Sequence, residues 1–343
     1  MGKIEVREYL TDFDRRNLPT DDTGYWKEDG KRIIEKGEVL GRKNRNKVYN
    51  YLVDKRHVFA KSYGDKDWTN RAVLEALMGH VYNDLGVNSS EGYPLRRANG
   101  DLAIATQNVS HLGRWVIDKD TQVKSVEEVL GTIFRQTDAY KVLRQENLKS
   151  LNTQNYDYRK TEMWGVILEP SVRQELLKHM TVQCYEEIKN MYLLDVIMGN
   201  PDRHYLNYFL TKKKGDKKWQ SAIAFDNESS IYRNCVRDFR CGNAKDIFAI
   251  SENIVTNFYT PQLVTDAKTH AERIQDVCDL IAQGKFTKYQ YKLLTDILGY
   301  DLPAKISQMY KKYGIKNPDA QKLRDVMSYA WDEHQRAIDM ARD

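Results

Sequence analysis

The sequence predicts an α+β chain of two lobes, a small β-rich lobe followed by a larger and mainly helical one. Two observations lead there. Residues 1–110 carry short alternating runs separated by turns, whereas residues 171–343 carry apolar stripes at helical spacing. The 343 residues also exceed one ordinary domain of roughly 150 residues, yet the 7 prolines and 19 glycines are spread thinly and form no linker. The halves therefore read as one unit with lobes at 1–110 and 111–343.

The elements follow in chain order. Val48–Val53 alternates and is rich in β-branched and aromatic residues, Asp54-Lys55-Arg56 reads as a turn, and Val58–Tyr63 reads as the returning strand of a hairpin. Asp67 or Thr69 caps a helix that runs to about Asp84 and stops at Gly86; Ala72, Leu74, Leu77, Met78, Val81 and Leu85 form its stripe. Leu102–Thr106 is a short buried strand. Ser125 with Glu128 makes a capping-box pattern, and Ser171 with Gln174 repeats it at the head of one long helix reaching about Met198. Gly199-Asn200-Pro201 ends that helix, because proline disfavours helical backbone at the residue before it. A last helix starts near Asn317-Pro318, with Leu323, Trp331 and Ile338 on its apolar side.

Composition excludes several classes. A charged fraction of 30 % beside a hydrophobic fraction of 41 % fits a soluble globular chain and not a disordered one. The apolar run Met191–Met198 is short and contains Asp195, so no transmembrane segment is expected. The N-terminal MGKIEVREYL lacks an apolar core, so no signal peptide is expected. The four cysteines are scattered without a C-x-x-C pair, which points away from zinc and disulfides and toward a reduced, cytoplasmic setting. The 54 basic and 49 acidic residues are interleaved, so the net +5 does not imply direct contact with nucleic acid.

The informative stretch is Met198-Gly199-Asn200-Pro201-Asp202-Arg203-His204-Tyr205-Leu206-Asn207, a loop spanning 199–210 and leading into an apolar strand. Eighteen residues separate Asn207 from Asp226, and between them TKKKGDKK (211–218) reads as a hairpin tip with Gly215-Asp216 at the turn. Pairing of Tyr208–Leu210 with Ile223–Phe225 brings Asn207 and Asp226 to one end of that hairpin. Two such oxygen donors suit Mg²⁺, which takes one or two protein ligands and leaves its other positions to phosphates and water. Asp202 is left to accept a proton from an attacking hydroxyl, as one Asp does in phosphoryl transfer while an Asn and a second Asp hold the metals. Asn-Pro-Asp is also a common turn. Four specified letters in D-R-H-x-x-N, however, arise by chance in only about one in several hundred chains of this length.

These residues resemble the catalytic loop of the atypical kinases related to the phosphatidylinositol kinases and to the bacterial HipA and CtkA-like kinases, where the loop has the form GNxDRHxxN. The resemblance implies a two-lobed, protein-kinase-like fold, ATP and Mg²⁺ as cofactors, Asp202 as catalytic Asp, and Asn207 and Asp226 as metal ligands. It gives His204 a bracing place among the catalytic residues and sets Arg203 against a nearby carboxylate.

Such an enzyme also needs a strand lysine for the phosphates and a helix glutamate to position it. Val58-Phe59-Ala60-Lys61 supplies the lysine, and Glu75 lies inside the apolar stripe of the following helix. Gly41–Lys47 stands where a phosphate loop belongs, with Lys43 and Lys47 as phosphate contacts, although it is not G-x-G-x-x-G. Leu102–Thr106 with Gln107 is the candidate adenine hinge. Residues 227–253 read as a polar surface segment in which Ser229 or Ser230, if phosphorylated, would meet Arg233, Arg237 and Arg240. The acceptor expected first is a protein Ser/Thr hydroxyl. An inositol-type lipid or a small molecule is the alternative, and a kinase-fold binding module or pseudokinase with an antitoxin-like partner is a third reading.

Overall fold

The structure is a computed structural model. It describes residues 27–28, 31–32, 36–39, 46–53, 56–63, 69–90, 92–96, 102–107, 120–126, 129, 170–198, 200, 207–225, 227, 277–284, 286–312 and 320–342.

After two short strands, β1 (Lys27–Glu28) and β2 (Lys31–Arg32), the first substantial unit is a five-stranded antiparallel sheet in the order β3-β4-β5-β7-β6. Its strands are β3 (Lys36–Val39), β4 (Asn46–Val53), β5 (Arg56–Tyr63), β6 (Gly92–Arg96) and β7 (Leu102–Gln107). The expected β4–β5 hairpin is present, with Val53 paired to Arg56. Arg56, read from sequence as part of the turn, belongs to the strand. Between β5 and β6 runs α1 (Thr69–Asp84), at the expected bounds, followed by Gly86 with a positive φ of 76°. Only glycine adopts that left-handed backbone without a steric penalty, so the helix stops there. The buried residues of α1 include Ala76, Leu77, Met78, Val81 and Tyr82, and the helix packs against β5, β6 and β7.

The second sheet has three strands in the order β10-β9-β8: β8 (Thr121–Ser125), β9 (Tyr208–Lys213) and β10 (Ser221–Ala224). The β9–β10 hairpin turns at Gly215 (φ 97°), where the Lys213 N–H also meets the Asp216 carboxylate at 3.3 Å. Ser125, expected in a capping box, instead pairs with Phe209 at the end of β8.

The single long helix expected from 171 to 198 is two helices, α2 (Pro170–His179) and α3 (Val182–Ile197). The break has a tertiary cause. Met180 forms a bridge with Trp219, Thr181 N–H bonds to Trp219 O at 2.9 Å, and Trp219 N–H bonds to His179 O at 2.9 Å. Thr181 then caps α3 by accepting from Cys184 N–H at 3.2 Å. The core lies around α3, where Cys184, Tyr185, Ile188, Met191, Tyr192, Leu193, Leu194, Val196 and Ile197 are all buried. A helix covered on nearly every side shows little amphipathic contrast in its sequence.

The described C-terminal helices are α4 (Lys288–Leu298), α5 (Leu302–Lys312) and α6 (Ala320–Arg342), preceded by a helical stretch at 277–282. A polar pin joins α3 to α4. Gln290, in the capping box of α4, donates to Glu186 at 3.0 Å and to Asn190 at 2.8 Å. Trp331 of α6 is buried and donates its indole N–H to Tyr300 O at 2.9 Å. Among the described residues no helix is long and apolar enough to cross a membrane. Cys184 and Cys278 are buried and unpaired, and burial pushes both thiols above their ordinary pKa, away from nucleophilic use.

Candidate functional site

The candidate site is assembled where α3 leaves the core and β9 begins. Helix α3 ends on its own polar residue. Asn200 N–H bonds to the Asp195 carbonyl at 2.8 Å, and the Asn200 side-chain amide donates to Asp195 Oδ1 at 3.1 Å. Both residues are fully buried. The same carboxylate oxygen accepts from the Tyr82 hydroxyl of α1 at 2.6 Å. Asp202 and His204, expected in the loop that follows, lie outside the described residues.

The chain is described again from Asn207, which is 6 % exposed. The expected strand pairing is present: Tyr208 faces Ala224, Phe209 faces Ile223, and Phe225 N–H bonds to Asn207 O at 2.8 Å. Asn207 is thus fixed to the residue that precedes Asp226 in the sequence. Asp226 itself, the other expected metal ligand, is outside the described residues. Among the described residues no group of three His, Cys, Asp or Glu side chains comes together as a metal site.

The hairpin is held from both sides. β8 pairs with β9, and the segment after α1 lies along β10: Ala224 N–H bonds to Asn88 O at 2.8 Å and Ser90 N–H to Ala224 O at 2.9 Å. The Asn227 amide donates to Ser89 Oγ at 2.6 Å. Ser89 is held in turn by Asn83, whose side chain accepts from Ser89 N–H at 2.9 Å and donates to Ser89 O at 3.0 Å. The end of α1 therefore reaches both the start of the loop, through Tyr82, and the hairpin end, through Ser89.

Glu75 lies on α1 and is buried, as its place in the apolar stripe implies. Its helix packs against β5, the strand that bears Lys61. In the sheet register Lys61 pairs with Val48 and Ile104. Lys47 pairs with Ser62, and Gln107 with Val58. Lys43 is outside the described residues, as are Gly41, Arg42 and the whole segment 228–253.

Sequence reasoning passed over Tyr82, Ser89 and Asn227, whose partners lie more than a hundred residues away, and Asn83, which holds Ser89 six residues on. Asp195 did leave a signal, as a single carboxylate inside an apolar run.

Searched against solved structures, the chain is similar to the proinflammatory kinase CtkA of Helicobacter pylori, with a TM-score of 0.53 and 15 % identity over 90 % of this chain and 95 % of that one. The chain has a CtkA-like kinase fold. HipA, in its Shewanella oneidensis MR-1 complex with HipB and operator DNA, matches at a TM-score of 0.43 and 9 % identity over 100 % of this chain and 73 % of that one. Choline kinase LicA from Streptococcus pneumoniae matches at 0.27 and 10 % identity over 90 % of this chain and 94 % of that one. At these scores the last two add nothing to the fold assignment. No protein-family model and no curated protein matches the sequence.

Proposed function

We propose that the chain is an ATP- and Mg²⁺-dependent phosphotransferase acting on a protein Ser/Thr hydroxyl, with residues 1–110 holding the nucleotide and 111–343 holding the catalytic loop. The observation that carries the reading is the register of β9 and β10, which ties Asn207 to the residue preceding Asp226, in a chain with a kinase fold. The order Lys61, Glu75, Asp202, Asn207, Asp226 along the chain supports it as well.

In this reading Asn207 and Asp226 hold Mg²⁺, which when bound neutralises charge on the transferring phosphoryl group. Asp202 accepts the proton of the acceptor hydroxyl, and His204 braces the loop. Lys61 holds the α- and β-phosphates, with the buried Glu75 carboxylate orienting it. Lys43 contacts phosphate from the polar stretch before β4. Lys47, at the start of β4, is the second phosphate contact. The strand of Gln107 offers backbone groups to adenine. Such a site works by positioning and electrostatics, which makes each metal ligand costly to remove.

The test is transfer from labelled ATP with Mg²⁺ to a generic basic protein, to inositol-lipid vesicles, and with no acceptor. Label on protein, including the chain itself, is expected. Asp202→Ala and Asp226→Ala should each lower transfer by a factor on the order of a hundred or more. Undiminished transfer in both variants sinks the assignment, and label only on lipid replaces the protein acceptor with the lipid one.

A further inference from the structure

We propose that Asp195 is a positioning residue that ties the catalytic loop to α1 through Asn200 and Tyr82. The proposal rests on the kinase reading for its functional part and on geometry for the tether itself.

Asp195 is fully buried on α3, between Leu194 and Val196, both also fully buried. A carboxyl in such surroundings is tolerated only when its oxygens are bonded, and an apolar residue would fill the place at less cost. Its Oδ1 takes hydrogen bonds from two separate segments. One donor is the Tyr82 hydroxyl, 113 residues earlier in the chain. The other is Asn200, held a second time through its own N–H on the Asp195 carbonyl. Asn200 precedes Asp202 by two residues, so fixing its backbone and side chain fixes where the loop departs. Tyr82 follows Glu75 by seven residues, two helical turns, so both stand on the same side of α1. A shift or rotation of α1 that moved Glu75 would also pull the phenol off Asp195 and loosen the loop. The carboxylate thus links the helix that positions the phosphate-binding lysine to the loop that carries the base. A purely packing role would not call for one oxygen to bond both a helix 113 residues earlier and the residue where the following loop departs.

Tyr82→Phe tests this with the least disturbance, since it removes one oxygen and keeps the buried ring. Expected are a kcat lower by about tenfold, a KM for ATP within about twofold of the parent, and faster amide exchange in a peptide spanning 198–206. Asp195→Asn keeps an oxygen acceptor in place and is expected to retain most of the loop protection and a kcat within about threefold. Exchange that changes only within α1 in Tyr82→Phe overturns the proposal, and so does unchanged kcat. Failure of the kinase reading is seen separately, as absence of transfer by the parent protein. Failure of the tether is seen as unchanged exchange at 198–206, whichever way the transfer assay falls.

Discussion

Removing the Asn83 side chain isolates the stitch between α1 and the hairpin. Asn83→Ala deletes two hydrogen bonds, from Ser89 N–H at 2.9 Å and to Ser89 O at 3.0 Å. Each neutral bond of this kind contributes about 1 kcal/mol net, so the expected loss is about 2 kcal/mol. At about 2.1 cal/mol/K per residue, a chain of 343 residues unfolds with an entropy near 0.7 kcal/mol/K, so 2 kcal/mol corresponds to about 3 °C in melting temperature. Scanning calorimetry reads that shift directly. Asn83→Asp is the informative companion. It keeps the acceptor for Ser89 N–H but sets a carboxylate oxygen against Ser89 O, so it should be no more stable than the alanine variant. Amide exchange at Val87–Ser90 should rise in both, because Ser89 presents its hydroxyl to Asn227 and its neighbours pair with Ala224. A melting temperature within half a degree of the parent for Asn83→Ala would refute the reasoning, since the 87–90 segment would then be held by the β10 pairing alone.

Two further outcomes follow from the same structure. Thr181→Ala removes the cap of α3 and should cost about 1 kcal/mol in denaturant unfolding, while Thr181→Ser should cost less than half of that; equal losses would remove the cap from the account. Burial first, and then the Asp84 carboxylate that its hydroxyl contacts, raise the Tyr300 phenol above its ordinary pKa of 10.0, and burial pushes Tyr185 up to about 12. Both folded values are raised, so their stabilisation is complete below the unfolded pKa and is lost as pH rises through the folded values. The urea midpoint should therefore fall from about pH 10 upward, and Tyr300→Phe should fall less steeply; identical slopes would contradict this assignment.

The parts of the fold that were legible in the sequence are those set by local chemistry. β4–β5 follows from alternation, α1 from its stripe and the glycine two residues beyond it, and β9–β10 from Gly215-Asp216 between two apolar runs. The parts that were not legible have distant causes. β6 contains Pro94, which lowers strand propensity, and it is found at a sheet edge, where the missing N–H is tolerated. The helix break at Met180–Thr181 depends on Trp219, nearly forty residues later. β8 is short, and its partner β9 is not a sequence neighbour. The pairing of Asn207 with the residue preceding Asp226 was read from hairpin spacing alone, whereas the links from Tyr82 to Asp195 and from Ser89 to Asn227 left no trace in local pattern.

The second sheet also sets an order of assembly. The β9–β10 hairpin closes locally, with Thr211 and Ser221 ten residues apart. The contacts that finish it come from much earlier in the chain, with Ser89 138 residues from Asn227. Local loops close early and distant ones late, because the entropy lost on closure grows with the length of chain enclosed. The N-terminal partners leave the ribosome first and wait for the hairpin they will flank. Unfinished chains therefore hold the strands of the five-stranded sheet and α1 before the hairpin that the 87–90 segment will flank has been made.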